Sequence, residues 1–441
     1  MFRSLLLAAG LLAISAPVWG QTRDEKVRND RRDVLSEGYW LYNDLPAALK
    51  QSKQTGKPIL VVLRCIPCES CHGMDLQVVN RDAAIRDLLD KFVCLRIIKA
   101  NSLDLSLFQF DYDMSFSVFF LDGDGTVYGR FGTRSTRNDT TPDISLEGLQ
   151  KAMEGALELH RDAVLGRAQF THKRQALMDV AKPEELPSLA TYKTELDYDG
   201  KLAQSCIHCH QIRDAHRAQV RSTGEPLPEP LLYPYPKPDV VGLVLDPKER
   251  ATVTKVLTDS QGEKDGFRSG DELLTLAGQP LLSIADVQWV LHTAKQPSDN
   301  SPTKLPAEVR RNGKPLKLTL TLAPGYRKHD ISWRPTTWDL RRMIGGLLLE
   351  DLPDEERASR GLASDTLALQ AKHVGQYGPH ARAKQAGFQT GDVVVGFDDV
   401  TSRWSETDLL EEVAQRRKPE DSVTFHVLRG DKRLKFSLKL Q

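Results

Sequence analysis

Residues 56–76 read GKPILVVLRCIPCESCHGMDL, and this stretch decides the fold of the N-terminal half of the chain. It opens with a β-branched, apolar run after glycine and proline, a composition typical of a buried parallel strand. Beyond the cysteines, apolar residues recur with a mainly helical period, at Met74, Val78, Ile85, Leu88, Leu89 and Phe92. The sequence therefore predicts that Cys65, Cys68 and Cys71 lie at a turn between a strand and a helix.

The following segments complete a domain pattern. Residues 117–132, SVFFLDGDGTVYGRFG, hold two apolar runs around a Gly-Asp-Gly turn, which predicts a hairpin, and a helical stretch follows at 145–163. This order resembles a thioredoxin-like domain over residues 34–165, an α/β/α sandwich. In relatives that read K-P-x-L-V before C-x-x-C, with Met-Asp after it, the resemblance makes Cys68 the attacking thiol and Cys71 the resolving one.

Physical chemistry supports a redox role for this motif. A cysteine at a helix N-terminus faces unpaired N–H groups, which favour the thiolate that exchanges with disulfides. A structural disulfide, and a metal or haem at Cys68, Cys71 and His72, are the alternatives.

Three residues depart from the thioredoxin pattern. Val62 replaces the buried carboxylate of the preceding strand, and Phe116 replaces the usual cis-proline. Cys65 forms a second C-x-x-C with Cys68, either as an alternative resolving thiol or as a small buried residue ending the strand. Cys94 is expected to be a core residue.

A second motif, CIHCH at residues 206–210, matches C-x-x-C-H, the attachment signature of c-type haem. Cys206 and Cys209 would carry the thioether bonds, and His210 would be the proximal iron ligand. A disulfide or dithiol, and a zinc site that includes His208, are the competing interpretations. We expect a short helical segment at 166–221 around this motif.

Composition and the N-terminus limit the function classes. Lys plus Arg and Asp plus Glu both number 60, so no basic field favours nucleic acid. Residues 1–20 have one early cation, an apolar run and small residues near a cleavage point, which predicts a secretory signal peptide. We therefore expect an exported bacterial protein of the periplasm, with no integral membrane segment. Six cysteines in 441 residues, five of them in two motifs, indicate chemistry rather than a disulfide scaffold.

The C-terminal half contains a repeat. GFRSGDELLTLAGQPL at 266–281 and GFQTGDVVVGFDDVTS at 387–402 share the frame G-F-x-[ST]-G-D before an apolar strand. A helix and an alternating hairpin follow each copy. The pattern resembles PDZ domains, which predicts two β-rich PDZ-like domains at 240–325 and 330–441.

Each copy opens with a glycine and apolar residues that resemble the PDZ carboxylate-binding loop, whose backbone N–H groups hold a peptide C-terminus. The predicted peptide-binding residues are Gly242, Leu243, Val244, Gly346 and Leu347. The second copy has an insertion from residue 353 to about 379 that would cover its groove, so peptide binding is expected mainly at the first copy.

Two segments connect these units. Residues 222–239 hold six prolines and predict an extended, semi-rigid linker. Residues 330–343 carry two tryptophans that are expected to pack against a PDZ-like domain.

The whole order resembles the bacterial thioredoxin/PDZ domain proteins, some of which use selenocysteine. It predicts a multidomain α/β and mainly-β chain, and an exported thiol-disulfide redox protein whose PDZ modules recruit peptides or protein C-termini. A non-enzymatic peptide-binding adaptor and a haem electron carrier are the alternatives. PDZ domains of this kind accompany trypsin-like proteases, but the chain has no Gly-Asn-Ser-Gly or Gly-Asp-Ser-Gly segment, so proteolysis is not expected.

Overall fold

The structure is a computed structural model that describes residues 21–68, 71–136, 143–162, 167–174 and 180–441. The predicted signal peptide at 1–20 lies outside these ranges. Within them, none of the helices combines the length and the apolar character that crossing a membrane requires.

The N-terminal unit is a five-stranded sheet in the order β1-β3-β2-β4-β5, with β1, β3 and β2 parallel and β4 and β5 antiparallel. All six residues of the central strand β2 are buried, as its apolar sequence predicts. The predicted hairpin at 117–132 is β4 and β5. The strands are β1 (Leu41–Tyr42), β2 (Ile59–Arg64), β3 (Val93–Ile97), β4 (Phe116–Leu121) and β5 (Val127–Phe131). The helices are α1 (Arg23–Glu37), α2 (Leu45–Thr55), α3 (His72–Val79), α4 (Arg86–Leu89) and α5 (Leu146–Asp162).

The segment around CIHCH packs on this sheet instead of forming a separate lobe. Its elements are 3₁₀ turns at Arg167–Lys173, Pro183–Glu185 and Pro187–Leu189 and the helices α6 (Leu202–Ser205) and α7 (Cys209–Ser222). Ile207 and Ile212 are buried in one apolar cluster with Leu63 and Ile97 of the sheet. The second cysteine motif is therefore part of the core of the N-terminal unit.

The expectation of an extended proline-rich linker is wrong. Within residues 222–239 the chain forms α8 (Glu229–Leu232), and Leu227, Leu232 and Tyr233 are buried in the core of the C-terminal domain. Burying these apolar side chains is more favourable than leaving them in an extended spacer.

The first PDZ-like copy consists of a two-stranded sheet, β6 with β7, and a four-stranded sheet in the order β11-β10-β8-β9. Its elements are β6 (Leu243–Leu245), β7 (Val253–Val256), α9 (Gln261–Lys264), β8 (Glu272–Leu276), β9 (Gln279–Pro280), α10 (Ile284–Thr293), β10 (Thr303–Arg311) and β11 (Lys314–Leu322).

The second copy is a five-stranded sheet in sequence order, from β12 to β16. Its elements are α11 (Thr337–Arg342), β12 (Leu347–Asp351), α12 (Asp354–Ser359), β13 (Leu369–Val374), α13 (Arg382–Ala386), β14 (Val393–Phe397), α14 (Glu406–Arg416), β15 (Ser422–Arg429) and β16 (Lys432–Lys439). The insertion at 353–379 contains β13, which pairs with β12 and β14. Six residues of the insertion thus form a strand of the sheet, and covering of the groove by the insertion stays a prediction.

The repeated Gly-Asp turn has the same structural role in both copies. Asp271 accepts two hydrogen bonds from Arg311, each 2.7 Å, and Asp392 accepts the equivalent pair from Arg429, 2.7 and 2.8 Å. Both aspartates are almost fully buried. The shared frame therefore reflects a charge-paired turn between sheet strands rather than a binding residue.

Buried ion pairs join the units. Lys173 Nζ lies 2.8 Å from Asp286 of α10, and neither side chain is exposed. Arg213 of α7 and Arg334, which precedes α11, both contact Asp111 of the N-terminal unit, at 2.8 and 2.6 Å. The tryptophans of 330–343 divide between the units, because Trp333 packs on the N-terminal core and Trp338 stacks on His380.

Candidate active site at the two cysteine motifs

The fold brings the two cysteine motifs together at the carboxyl end of the parallel strands. The amide of Ala100, just after β3, donates to the Ile207 carbonyl at 3.1 Å, and Asn101 Oδ1 accepts from the Ile207 amide at 2.8 Å. These bonds hold CIHCH against the loop that follows β3, and His208 of the motif contacts Cys65 in the loop that follows β2. Residues about 140 positions apart in the sequence thus share one site.

The centre of the site is a chain of three side chains. Cys65 Sγ lies 2.9 Å from Cys68 Sγ and 3.3 Å from His208 Nδ1. Both cysteines are partly exposed. Because a disulfide bond is about 2.05 Å long, bonding this pair requires the two sulfurs to approach by less than about 1 Å.

The pKa values of the two thiols of this pair are shifted in opposite directions. The hydrogen bond from Cys65 is the main cause that lowers the pKa of Cys68, to about 6, and the charges of Arg64, His210 and Arg134 add to it against the effect of burial. The same hydrogen bond, together with burial, raises the pKa of Cys65. Cys68 is therefore the more readily ionised thiol of the pair, and Cys65 holds the shared proton.

The physical reason for this acidity differs from the one that the sequence indicated. The described helix α3 begins at His72 with Cys71 at its N-cap, so Cys68 precedes the helix by a turn. Arg64, rather than the end of the helix, supplies positive charge near Cys68. Its guanidinium donates to the carbonyls of Cys65 and Cys68, both at 2.6 Å.

Arg64 is held in turn by a buried carboxylate, Asp75 of α3. Arg64 Nε lies 3.1 Å from Asp75, and Arg96 makes two hydrogen bonds to the same carboxylate, at 2.7 and 2.9 Å. Burial alone would raise the pKa of Asp75, but the hydrogen bonds and charges of the two arginines lower it below its ordinary value. The ion cluster therefore fixes the loop that carries the thiols.

The pKa values of the two histidines of CIHCH shift in opposite directions. Burial lowers the pKa of His208 to about 4, so its ring is neutral near pH 7 and is a weaker base than an ordinary histidine. Burial would also lower the pKa of His210, but the hydrogen bond to Asp214, with Nδ1 and the carboxylate 3.5 Å apart, raises it. The rings stack with their centroids 5.8 Å apart.

Cys71 lies on the other side of the loop. It is buried, adopts a left-handed backbone conformation with a φ of 63° and packs with Met74 in the core of the domain. Its role as the resolving thiol remains a prediction from the resemblance, whereas the short sulfur contact in the structure is that of Cys65. Cys94 is a core residue on β3, as expected.

The positions that depart from the thioredoxin pattern have clear neighbours. Val62 is fully buried in the centre of β2, and Phe116 begins β4 beside Arg64. No cis peptide bond occurs in the described ranges. His208, which the sequence indicated only as a zinc ligand, contacts Cys65, whereas Val62 lies in the same apolar cluster as Cys71.

The arrangement at CIHCH does not fit a covalent haem. Cys206 is buried among Val27, Ile98, Leu196 and Leu202. Burial raises the pKa of Cys206 to about 11 and that of Cys209 to about 12. The space that Cys65, Cys206 and Cys209 line together is about 10 Å³. A cavity of that size holds about one water molecule, so it has no room for a macrocycle.

The residues do not form a zinc site either. In the part of the chain that the structure describes, no three His, Cys, Asp or Glu side chains are arranged to hold a metal ion. His210 faces Asp214 instead of the cysteines. The dithiol interpretation of CIHCH therefore stays a prediction.

The predicted peptide-binding residues of the first copy lie at the start of its two-stranded sheet. Gly242 has a φ of 84°, Leu243 is buried and Val244 is half-buried. The helix α10 of this copy is covered by the N-terminal unit, because Ser283 Oγ donates to the Arg130 carbonyl of β5 at 2.6 Å. Gly148 of α5 also packs so closely on Pro247 that a Cβ at Gly148 would lie 2.1 Å from its carbonyl oxygen.

The second copy has an edge strand that can accept a peptide. Gly346 and Leu347 are buried at the start of β12, which is the edge strand of its sheet. The amide of Leu349 in this strand donates to Glu406 Oε1 at 2.8 Å, and Glu406 pairs with Arg341 at 2.6 Å. The Glu406 carboxylate thus accepts a hydrogen bond from a backbone N–H of β12, the strand to which a peptide would add.

Two domain families match this chain. The thioredoxin-like family model matches residues 40–123, and the PDZ domain model matches residues 373–440, which lie in the second copy.

Curated relatives cover only part of the chain. A probable periplasmic serine endoprotease DegP-like of Pseudomonas savastanoi pv. phaseolicola is 29% identical over 202 residues, 44% of this chain and 38% of that protein. The periplasmic pH-dependent serine endoprotease DegQ of Escherichia coli is 27% identical over 174 residues, 40% of this chain and 32% of that protein. The chain thus spans under two fifths of the length of these relatives.

A solved structure of the HtrA-type protease AlgW with decapeptide matches at 17% identity and a TM-score of 0.18, over 31% of this chain and 48% of that chain. A TM-score of this size does not indicate a shared overall fold. The family matches and the described architecture agree with each other. The chain therefore joins a thioredoxin-like domain at residues 40–123 to a PDZ domain at residues 373–440, the combination found in the thioredoxin/PDZ proteins that its sequence resembles.

Proposed function

We propose that this protein is a thiol-disulfide oxidoreductase that uses Cys68 as its nucleophile and Cys65 as its resolving thiol. One observation carries the proposal: Cys65 Sγ lies between Cys68 Sγ, at 2.9 Å, and His208 Nδ1, at 3.3 Å. A nucleophilic thiolate, a second thiol and a base in contact are the groups that disulfide exchange requires.

The first step is attack on a client disulfide. The Cys68 thiolate forms a bond to one client sulfur, and the other client sulfur leaves as a thiolate. Arg64, which is buried and donates to the Cys68 carbonyl, fixes the loop and supplies positive charge beside the nucleophile. The product is a mixed disulfide between Cys68 and the client.

The second step releases the client. Cys65 transfers its proton to Nδ1 of the neutral His208 and attacks Cys68 Sγ, so that a Cys65–Cys68 disulfide forms and the second client sulfur leaves. Two electrons pass from the protein to the client. His208 supplies the base for this step, because Val62 stands where the thioredoxin pattern has a carboxylate. Resolution by Cys71, as the resemblance implies, is the competing assignment.

The PDZ part supports a recruiting role. A PDZ domain binds peptides by adding a strand to a sheet edge, and β12 is the edge strand of the second copy. In the first copy the N-terminal unit covers α10, so we assign client binding to the second copy. A client would have to displace Glu406 from the Leu349 amide.

A periplasmic location fits this chemistry. The relatives are described as periplasmic proteins, and residues 1–20 have the layout of a secretory signal. That compartment contains the protein disulfides on which such an enzyme would act.

A peptide-binding adaptor is the second candidate. Phe116 in place of a cis-proline favours it, because that proline normally shapes the edge that binds clients. The test is reduction of insulin by the full-length chain with dithiothreitol as the electron source. We expect activity in the wild type and in Cys94→Ser, and none in Cys68→Ser. Equal activity in Cys68→Ser and wild type, or none in the wild type, would leave the adaptor.

A further inference from the structure

The second pair of cysteines lies beside the first. Cys206 is 8% exposed, and Cys209 is partly exposed and packs against the apolar cluster that includes Ile207 and Ile212. Both residues line the same cavity of about 10 Å³ as Cys65. A client protein cannot enter a space of that size, whereas Cys65 already lines it.

The electrostatic coupling agrees with this placement. Ionised Cys209 would raise the pKa of Cys65, and the same kind of repulsion acts between Cys209 and Cys68. These effects arise between sulfurs that lie close together in a region of low dielectric constant. The hydrogen bonds of Ile207 to Ala100 and Asn101 keep the second motif in this position.

We propose that Cys206 and Cys209 form an internal dithiol that reduces the Cys65–Cys68 disulfide through a mixed disulfide between Cys209 and Cys65. This inference rests on the proposed function, because it requires that Cys65 and Cys68 become oxidised. It assigns to CIHCH the role of an electron store within the chain.

The exchange is balanced within the protein. The Cys209 thiolate attacks Cys65 Sγ and expels Cys68 as a thiolate, which takes up the proton that Cys209 has lost. Cys68 is the better leaving group of the pair because its thiol is the more acidic one. Cys206 then attacks Cys209 Sγ and expels Cys65, which takes a proton back. Two electrons and two protons move from Cys206 and Cys209 to Cys65 and Cys68, and no outside oxidant or reductant is consumed.

The relay doubles the number of electrons that one chain can deliver. A fully reduced chain would reduce two equivalents of a model disulfide, first with Cys65 and Cys68 and then, after internal exchange, with the same pair again. Without the second dithiol, it would reduce one. The relay also gives a role to the second C-x-x-C that the fold holds beside the first one.

The experiment uses the full-length chain, fully reduced and freed of reductant. It is mixed with excess dithiobis(nitrobenzoate), acid-quenched at intervals, alkylated and mapped by peptide mass spectrometry. We expect a Cys206–Cys209 disulfide to appear after the Cys65–Cys68 disulfide. In Cys65→Ser its formation should slow by at least about tenfold, because the internal partner is lost. In Cys206→Ser a Cys65–Cys209 disulfide should accumulate.

The wild-type map alone tests the relay, so a variant that fails to fold does not decide it. Cys206 and Cys209 remaining reduced while the first pair is oxidised would overturn the relay and leave the proposed function intact. Oxidation of Cys206 and Cys209 at the wild-type rate in Cys65→Ser would also overturn it, since the reagent would then reach them directly. An unreactive Cys68 in the wild type would instead contradict the proposed function.

Discussion

Replacing His208 with phenylalanine separates the two steps of the proposed reaction. The substitution keeps a buried ring of similar size and removes Nδ1, which lies 3.3 Å from Cys65 Sγ. His208 is not among the groups that lower the pKa of Cys68. Attack by Cys68 should therefore proceed at nearly the wild-type rate, while Cys65 loses its proton acceptor.

The expected magnitude follows from the role of a general base, which contributes about 10²- to 10⁴-fold. Because Cys65 is partly exposed, solvent hydroxide can still reach its thiol, and we expect a loss near the lower limit. A 100-fold slower resolution corresponds to about 2.7 kcal/mol in the activation free energy.

Rapid mixing with dithiobis(nitrobenzoate) measures both steps in one trace. The first nitrothiobenzoate is released when Cys68 attacks, and the second when Cys65 resolves the mixed disulfide. His210→Phe is the matched control, because it removes the neighbouring ring, whose charge lowers the pKa of Cys68. It should slow the first release near neutral pH and spare the second. A second release in His208→Phe within about twofold of wild type would refute a general-base role.

Three further predictions concern charge. Alkylation of Cys68 by iodoacetamide should follow a titration with a midpoint near pH 6, falling below it as the thiolate is protonated; a midpoint in the ordinary range near 8.5 would contradict the assigned contacts. Asp75→Asn should lower the free energy of unfolding in urea by about 3–5 kcal/mol, because Arg96 loses a buried partner. The pKa of Asp75 is lowered in the folded state. Its contribution to stability is therefore present above the pKa of the unfolded carboxyl group and is lost as the pH falls through the folded pKa. Asp75→Asn should lack this pH dependence. Lys173→Met should also destabilise the fold, because Asp286 loses its nearest charge partner and keeps only Arg130, 4.0 Å away. Lys173→Met with Asp286→Leu should recover part of the loss; equal losses in the single and double variants would show that the charge pair is not the cause.

Local patterns were enough to predict the modules. The apolar run of β2, the Gly-Asp-Gly turn between β4 and β5 and the repeated G-F-x-[ST]-G-D frame each fix a backbone conformation within a few residues. Such signals depend on neighbouring side chains along the chain, so they survive without tertiary information. The thioredoxin-like and PDZ architectures followed from them.

The linker and the groove did not follow from local patterns. The proline content of 222–239 indicated an extended spacer, but Leu227 and Tyr233 are buried against a core more than 100 residues away in the sequence. The length of the insertion at 353–379 indicated that it covers the peptide groove, whereas six of its residues form β13. In the linker, long-range apolar contacts outweighed the local composition.

The sequence by itself predicted which atoms would carry chemistry, namely the thiols of CIPCESCH and CIHCH, and it named Cys68 as the attacking thiol. Only the tertiary structure decided which groups meet. His208 contacts Cys65 because Ile207 is hydrogen-bonded to the end of β3, and Arg64 turns toward the thiol loop because Asp75 holds its guanidinium. The pKa of a thiol depends on charges within a few ångströms in space, which spacing along the chain does not specify.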